Sequence, residues 1–407
     1  MGVTAPQLVR DAVDAAYRTE WGQIVATLIG STGDWDLAED CAQDAFATAL
    51  TTWARDGIPD RPGAWLTTAA RNRAIDRLRR DSVAGAKLSQ LAVLGRGPAE
   101  PATGAIPDDR LRLIFTCCHP ALPLPTRVAL TLRTLTGLST AEIAAAFLTA
   151  ESTMAQRLVR AKRRIADAAI PYRVPTPEQL PQRLPAVSAV LYLIFNQGYS
   201  AADDQRGLAP EAIFLARLVV RLLPTEPEPA GLLALMLLLE ARRPQRIADG
   251  VLIPLEEQDR SRWDHAMIAE GVRTLDRALA SQQPGPYQVQ AAIAACHATA
   301  TDADATDWPQ IAALYLELAR LAPSPVVELN RAVAVAMAEG IPAGLELIDE
   351  LAGSGRLGEY HLLAAARADL LRRAGRSGEA AAEYAAALAL APTDAERRYL
   401  ERRLHGL

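Results

Sequence analysis

The order of apolar and polar positions in residues 126–165 predicts two short helices joined by a tight turn. Gly137 can adopt the left-handed backbone that ends a helix. Ser139 and Glu142 have the spacing of a capping box, which begins the next helix, and Phe147 closes that helix on the core. This segment therefore has the pattern of a helix-turn-helix.

The second helix of this pair has one apolar face and one basic face. It follows a turn at 148–150, in which Thr149 is the candidate cap, and Met154, Leu158 and Ile165 recur at helical spacing. The opposite face carries Ser152, Thr153, Gln156, Arg160, Arg163 and Arg164. Arg and Gln can bond base edges bidentately in a major groove while other cations bind phosphates, so the pattern favours DNA binding over a merely solvated face.

Two further amphipathic helices are predicted near the start of the chain. The first covers 36–53 and has a core-facing stripe of Leu37, Cys41, Ala45, Phe46, Ala49 and Trp53. The second covers 61–80, with Leu66, Ala70, Ala74 and Leu78 as its buried stripe and six arginines against one aspartate elsewhere. An aromatic side chain, Trp65, lies among these polar residues and suits the stacking of unpaired bases.

These patterns divide the chain into an all-α arrangement of two small helical domains followed by a helical-repeat domain. We predict domains at 5–80 and 108–170, the second of them a helix-turn-helix, and a C-terminal domain at 186–407. The connector 81–107 carries Gly and Pro without periodicity and predicts flexible chain. The connector 171–185 holds Pro171, Pro175, Pro177, Pro181 and Pro185, which predict extended chain in place of a regular helix.

Repeats are indicated near the C-terminus. Ala380, Tyr384, Ala387 and Pro392 have the spacing of a tetratricopeptide second helix, and a helix at 360–373 and a Gly375 turn precede them. Weaker copies occur at Ile311, Tyr315, Leu318 and Pro323, and at Ala343 and Leu347. Stacked helix pairs of this kind form a solenoid, and ordinary helical hairpins in a compact domain are the alternative.

The composition indicates a helical protein, and the charge distribution indicates that only local surfaces of it can bind nucleic acid. Of 407 residues, 50% are hydrophobic and 5% aromatic, which favours packed helices. Residues 1–170 carry 20 Lys plus Arg against 18 Asp plus Glu, a net +2, whereas residues 171–407 carry 23 against 30, a net −7. Any affinity for DNA must therefore come from local basic faces.

Catalytic and metal-binding motifs are not expected. Four scattered cysteines and the lack of a leader favour the reducing cytoplasm, and no apolar run reaches the length of a membrane span. Cys117, Cys118 and His119 are adjacent, but neighbouring cysteines on a helix diverge, so a buried patch is favoured over metal. Glu256, Glu257, Asp259 and Asp264 lie among arginines and favour ion pairs. We expect no enzyme activity and no cofactor.

The first half of the chain resembles the extracytoplasmic-function group of the bacterial sigma-70 family. Residues 36–46 (DLAEDCAQDAF) and 64–80 (AWLTTAARNRAIDRLRR) resemble the family's second conserved region. The helix-turn-helix, with TMAQRLVRAK at 153–162, resembles its fourth region. Residues 193–199, 240–244, 257–264, 285–295 and 323–334 resemble a subgroup with a tetratricopeptide-like extension. The resemblance implies a promoter-specificity subunit of RNA polymerase.

Roles for individual residues follow from this resemblance. It implies that core polymerase binds the acidic helix through Asp36, Glu39, Asp40, Gln43 and Asp44. The loop 54–62 and its following helix would capture a base of the −10 element, through Arg61, Trp65, Asn72, Arg73, Asp76, Arg79 and Arg80. The basic helix would read the −35 element through Ser152, Thr153, Gln156, Arg157, Arg160, Arg163 and Arg164. The connector 81–107 would thread toward the polymerase active-site channel.

The C-terminal domain is expected to regulate activity in cis. A protein or peptide is one candidate partner for its helical array, and a small molecule and polymerase itself are the alternatives. A second hypothesis is a helix-turn-helix regulator whose solenoid is a scaffold for other proteins and which never engages polymerase. A third, remoter hypothesis is a redox or metal sensor that uses Cys117 and Cys118.

Overall fold

A computed structural model of the chain describes residues 5–82, 109–147, 149–200 and 207–407. These residues are almost entirely helical, so the predicted all-α class is confirmed. The chain divides into two compact units, Met1–Ile194 and Phe195–Leu407. The predicted connector 81–107 lies outside the described residues, except for its first two positions, which belong to a helix that ends at Ser82.

The first unit contains both predicted domains of the first half. Its helices are α1 (Ala5–Thr32), α2 (Trp35–Asp56), α3 (Pro62–Ser82), α4 (Asp109–Cys117), α5 (Leu124–Thr131), α6 (Thr140–Ala146), α7 (Glu151–Asp167) and α8 (Leu180–Ser200), whose last residues enter the second unit. A π-helical turn, Leu132–Thr136, continues α5.

The predicted apolar stripes form the core of this unit. Leu66, Ala70, Ala74 and Leu78 of α3 are all buried, as are the predicted core residues of α2 with the exception of the partly exposed Leu37. The rings of Tyr17 and Trp21 on α1 pack against Phe46 of α2. The apolar periodicity of the sequence therefore predicted both buried faces.

The helix-turn-helix has the predicted capping, with one correction. Gly137 has φ 77° and ends the π-helical turn, and Ser139 and Glu142 form the capping box of α6. The N-cap of α7 is Ala150, which offers no side-chain hydrogen bond, so the prediction that Thr149 caps this helix is wrong. Glu151 in the first turn of α7 is an acidic residue of the kind that the positive end of a helix dipole favours.

The prediction of extended chain over the whole of 171–185 is also wrong, since α8 begins at Leu180. Pro181 lies in the first turn, where no backbone N–H is needed, and Pro185 is accommodated inside the helix. The residues before α8 pack onto the first unit: the Tyr172 hydroxyl donates to the carbonyl of Ala26 over 2.7 Å, and Pro175 is buried. The connector is therefore anchored through Tyr172.

The second unit is a succession of helices in which each packs against the next. They are α9 (Leu208–Leu222), α10 (Pro227–Glu240), α11 (His265–Leu279), α12 (Pro286–Thr299), α13 (Trp308–Leu321), α14 (Pro325–Glu339), α15 (Ile341–Gly353), α16 (His361–Arg373), α17 (Ser377–Leu390) and α18 (Asp394–His405). Between α10 and α11, the strands Ile247–Ala248 and Val251–Leu252 form an antiparallel pair with Ile247 opposite Leu252.

The predicted repeat signature corresponds to the pair α16 and α17. Ala380, Tyr384 and Ala387 are buried in the cluster that also holds Leu370 and Leu371. The last helix, α18, then packs back on the strand Val251–Leu252. Its Arg402 and Arg403 bind Glu257, at 2.9 and 2.7 Å, so the first and last parts of the helical succession are joined.

The motif residues at 193–199 and 240–244, together with the nearby Arg246, form an arginine cluster around Tyr199. The guanidinium of Arg246 lies 3.8 Å from the centre of the Tyr199 ring. Arg242 donates to the Tyr199 hydroxyl over 3.1 Å, and Arg243 pairs with Glu240 at 2.6 Å. Burial lowers the pKa of Arg246. These motif residues are therefore structural anchors of the second unit.

Candidate functional site

The acidic face of α2 is the candidate protein-binding surface. The carboxylate of Asp34 caps the helix by accepting a hydrogen bond from the Leu37 amide, and this fixes where α2 begins. Asp36, Asp40 and Gln43 are exposed, and Asp44 is half-buried. Four of the five predicted residues are therefore accessible on one side of α2.

Two of these carboxylates are held by a single arginine. Arg77 of α3 donates one amino group to Asp40 and the other to Asp44, each over 2.9 Å. The hydrogen bond to Asp40 raises the pKa of Arg77 above its ordinary value. Arg77 was not among the predicted site residues, although its position three residues after Ala74 and one before Leu78 places it beside the buried stripe of α3.

Glu39 differs from the other predicted residues because it is buried, with 4% of its surface exposed. Its two oxygens face cations of the helix-turn-helix: Arg133 Nε lies 3.0 Å from one and Lys162 Nζ 2.9 Å from the other. Lys162 also contacts Asp36 at 2.7 Å. The expectation that Glu39 lies on an open face with Asp40 is wrong for this structure, because Glu39 is three residues before Ala42 and seven before Phe46, both of them buried.

The helix-turn-helix also contacts α1, through the turn that precedes α6. The Tyr17 hydroxyl donates to the carbonyl of Gly137 over 2.8 Å, and burial raises the pKa of Tyr17 to about 12. A Cβ at Gly22 would come within 2.6 Å of the Leu135 carbonyl oxygen. The absence of a side chain at Gly22 therefore allows the helix-turn-helix to approach α1 closely.

The basic face of α3 is the first candidate DNA surface. Arg61, Asn72, Arg73, Asp76, Arg79 and Arg80 are exposed, as predicted from their spacing. Trp65 is half-buried, with its ring edge-on to the buried ring of Trp53 at a centroid distance of 5.6 Å. This contact fixes the orientation of Trp65 and leaves part of its ring at the surface, where a base can stack.

The loop between α2 and α3 is shorter than predicted. Ala54, Arg55 and Asp56 belong to α2, which ends at Gly57 with φ 90°, and α3 begins at Pro62. Arg73 donates to the Thr48 hydroxyl over 2.9 Å, so its guanidinium is directed along α2. The candidate base-capturing loop is therefore 57–61, bounded by Gly57 and Pro62.

The polar face of α7 is the second candidate DNA surface. Ser152, Thr153, Gln156, Arg160, Arg163 and Arg164 are exposed, whereas Met154, Leu158 and Ile165 are buried, as predicted. Arg157 is half-buried and lies over the ring of Phe147 at 5.5 Å. A cavity of about 560 Å³ runs beside this face, between α7 and the start of α5; its lining includes Leu122, Pro123, Gln156, Arg160 and Arg164.

Cys117 and Cys118 are buried thiols within the fold of the helix-turn-helix. Each lies near a threonine hydroxyl, Cys117 at 3.3 Å from Thr134 and Cys118 at 3.7 Å from Thr131. Burial raises the pKa of both thiols, that of Cys118 to about 12. Both thiols are therefore protonated at neutral pH. Within the described residues, no group of three or more His, Cys, Asp or Glu side chains has the arrangement of a metal site.

The acidic residues at 256–264 are ion-paired and capping groups, as their composition indicated. Glu256 and Glu257 bind Arg373, Arg402 and Arg403, and not the arginines beside them in sequence. Asp259 caps the turn at 260–262, and Asp264 caps α11. No helix in the described part of the chain is long and apolar enough to cross a membrane.

Comparison with known families covers both candidate surfaces. Residues 17–83 match the family Sigma-70 region 2, and residues 112–165 match Sigma-70, region 4. Residues 183–279 match a family of unknown function, DUF6596. The first match contains α2 and α3, and the second contains the helix-turn-helix.

Similar proteins cover either almost the whole chain or about two fifths of it. An uncharacterized protein of Rhizobium meliloti is 43% identical over 406 residues, which are 97% of this chain and 96% of that protein. A probable ECF RNA polymerase sigma factor, SigI, of Mycobacterium tuberculosis is 29% identical over 165 residues, which are 39% of this chain and 56% of that protein. No solved structure matches the chain.

Proposed function

Because the chain belongs to the extracytoplasmic-function group of the sigma-70 family, we propose that it binds core RNA polymerase and directs it to promoters. The observation that carries this proposal is that both family matches coincide with solvent-facing polar surfaces, on α2 and α3 and on α7. Such a subunit acts in the cytoplasm, needs no cofactor and performs no catalysis of its own.

Polymerase binding is assigned to the acidic face of α2. Asp36, Asp40, Gln43 and Asp44 offer carboxylate and amide oxygens to basic groups of the polymerase. Glu39 joins this set only when the helix-turn-helix moves away from it, since Arg133 and Lys162 occupy both of its oxygens. Electrostatic complementarity of this kind sets the orientation and rate of association.

Promoter melting is assigned to α3 and the loop before it. Arg61, Arg73, Arg79 and Arg80 supply cations for the backbone, and Trp65 supplies a ring for an unstacked base. Extruding a base costs a few kcal/mol, which contacts to the base edges offset. Asn72 and Asp76 lie on the same exposed face and can bond those edges.

Recognition of the −35 element is assigned to α7. Its exposed Gln156, Arg160, Arg163 and Arg164 can enter a major groove, where base edges are distinguishable, while Ser152 and Thr153 lie at the N-terminal end of the helix. Arg157 is placed differently, over Phe147, and is assigned to the backbone. Two separate DNA-reading surfaces are what a promoter with two elements requires.

The sigma function is tested by run-off transcription with purified core polymerase. The expected result is a product with a defined start site on promoters whose transcripts rise when the chain is overproduced. If the chain binds promoter DNA specifically but neither associates with core polymerase nor supports any start-site-specific product, the alternative of a helix-turn-helix regulator with a scaffold domain is the better account.

We assign the second unit a regulatory role in cis. It is a large helical body joined to the promoter-reading unit through α8, and its helices offer surfaces on which a protein or peptide can bind. The test is a chain that ends after Ile194, at the boundary of the two units. Promoter output that differs from that of the full chain, at equal amounts of folded protein, supports the role, and an unchanged output contradicts it.

A further inference from the structure

Two arginines and a tryptophan, from motif segments that the proposed function does not use, lie close to a histidine in the second unit. Arg242 follows α10, Arg260 and Trp263 lie in the segment before α11, and His297 lies on α12. We propose that these four side chains, here called the arginine site, bind a small dianionic oxyanion such as a phosphate group. The inference goes beyond the proposed sigma function and does not depend on it.

Contacts between the loops and α12 bring the members of the arginine site together. Ala241 and Trp263 pack in one apolar cluster, so the next residue, Arg242, begins beside Trp263. The guanidinium of Arg260 lies over the Trp263 ring, 4.8 Å from its centre, and its Nη1 donates to the carbonyl of His297. Both guanidiniums are close enough to His297 for their charges to act on its imidazole.

Neither guanidinium of the site is neutralised by an ion pair within the residues that the structure describes. The neighbouring carboxylate of Glu240 is bound to Arg243 at 2.6 Å. Asp302 is exposed, accepts hydrogen bonds within its own turn and lies beyond ion-pair distance of Arg260. The site therefore supplies two positive charges without carboxylates, which is the number that a dianion requires.

The site also has buried N–H donors from which no atom of the described residues accepts. A guanidinium carries five N–H groups. Arg242 donates through Nη2 to the Tyr199 hydroxyl, over 3.1 Å, whereas its buried Nε has no acceptor. Trp263 is 4% exposed, and its indole N–H likewise has none. Because burying a donor without an acceptor is costly, these groups indicate a place for the oxygens of a ligand.

The state of His297 agrees with an anionic ligand. Burial and the two guanidinium charges lower the pKa of His297 to about 4, so its imidazole is neutral at pH 7 and keeps one N–H donor. None of the four side chains is a carboxylate. The site therefore offers guanidinium, indole and imidazole donors together, a set that favours an anion over a cation.

Inorganic phosphate is the probe for this site. A calorimetric titration of the full chain, in a weakly alkaline buffer in which phosphate is a dianion, is expected to show saturable binding of one phosphate. Sulfate should compete, whereas the monoanion acetate should bind at least about tenfold more weakly at the same ionic strength. The indole N–H signal of Trp263, identified by its loss in Trp263→Phe, should shift in the NMR spectrum as phosphate binds.

Three variants and one control test the residues. Arg242→Gln and Arg260→Gln each remove one charge and are expected to weaken phosphate binding at least about tenfold. Trp263→Phe keeps an aromatic ring beside Arg260 and removes only the N–H, so a loss of about twofold to tenfold is expected. Arg262→Gln is the matched control, because Arg262 is an exposed arginine of the same turn, and it should bind as wild type.

The outcomes are decisive in both directions. Loss of binding in Arg242→Gln and Arg260→Gln, with binding retained in Arg262→Gln, supports the arginine site. No saturable binding in the wild type, equal weakening in all variants, or acetate binding as tight as that of phosphate contradicts it.

Thermal unfolding without phosphate shows whether each variant is folded, and if an arginine variant is not, Trp263→Phe and the indole signal decide. Since the titration contains neither polymerase nor DNA, its failure leaves the proposed sigma function standing. Failure of run-off transcription likewise leaves the arginine site standing.

Discussion

Arg77 Nη2 lies 2.9 Å from Asp44 Oδ2, and this ion pair connects the helix proposed to contact promoter DNA with the helix proposed to contact polymerase. The other amino group of Arg77 holds Asp40 at the same distance. One guanidinium therefore orients two carboxylates of the acidic face of α2 before any partner binds. A polymerase cation must either share these carboxylates with Arg77 or displace it.

The first prediction concerns these carboxylates. Replacing both Asp40 and Asp44 by Asn keeps their shape and removes two charges, so association with core polymerase is expected to weaken by at least about tenfold. Arg77→Gln is the control, because it frees the same carboxylates without removing them and is expected to retain binding. A binding titration measures both. Equal loss in the two variants would mean that packing, and not charge, explains the effect.

The second prediction concerns sequence reading by α7. Arg160→Ala is expected to lower transcription from a mapped promoter by an amount equivalent to about 1–3 kcal/mol of lost base contact. It should also relax the preference at one base pair of the −35 element and leave the others unchanged. Val159→Ala, at a neighbouring exposed position, serves as the control. Uniform loss on every promoter variant would instead assign Arg160 to the phosphate backbone.

The third prediction concerns the stability of the second unit at acidic pH. Burial, together with the positive charges of Arg242 and Arg260, lowers the pKa of His297 to about 4. The unfolded chain binds a proton at the ordinary histidine pKa of about 6.5, so between this value and 4 the unfolded state holds more protons. Stability is therefore complete above pH 6.5 and falls as the pH drops toward 4, by about 3 kcal/mol in total.

Chemical denaturation at several pH values between 4 and 7 measures this loss. His297→Gln is expected to flatten the dependence of the unfolding free energy on pH in that window. The exposed His265→Gln is the matched control and should keep the wild-type slope. A slope that is the same in all three proteins would contradict the assignment to His297.

Much of the first unit was predictable because its signals are local. A glycine at 137 and a Ser139–Glu142 pair specify where one helix ends and the next begins, whatever surrounds them. The four-residue spacing from Leu66 to Leu78 likewise predicts which face of α3 is buried. Thr149 and Pro185 show the limit of such signals, because each has a local preference that the surrounding helices override.

The least predictable feature of the candidate site is the environment of Glu39. Its partner Arg133 is 94 residues away in sequence, and no local rule pairs a glutamate with an arginine at that distance. Only its spacing from Ala42 and Phe46 indicated that it borders the core. The pairing of Glu256 with Arg373, 117 residues apart, escapes local reasoning for the same reason.

The ion pairs between α18 and Glu257 have a consequence for how the second unit unfolds. Helical repeats that touch only their neighbours can fray from a free end, one pair at a time. Arg402 and Arg403 form ion pairs with Glu257, which lies between α10 and α11. The terminal helix therefore cannot unfold without breaking contacts to an early part of the array. Thermal unfolding of this unit should therefore be cooperative. Deletion of the last dozen residues should also destabilise the strand pair at 247–252.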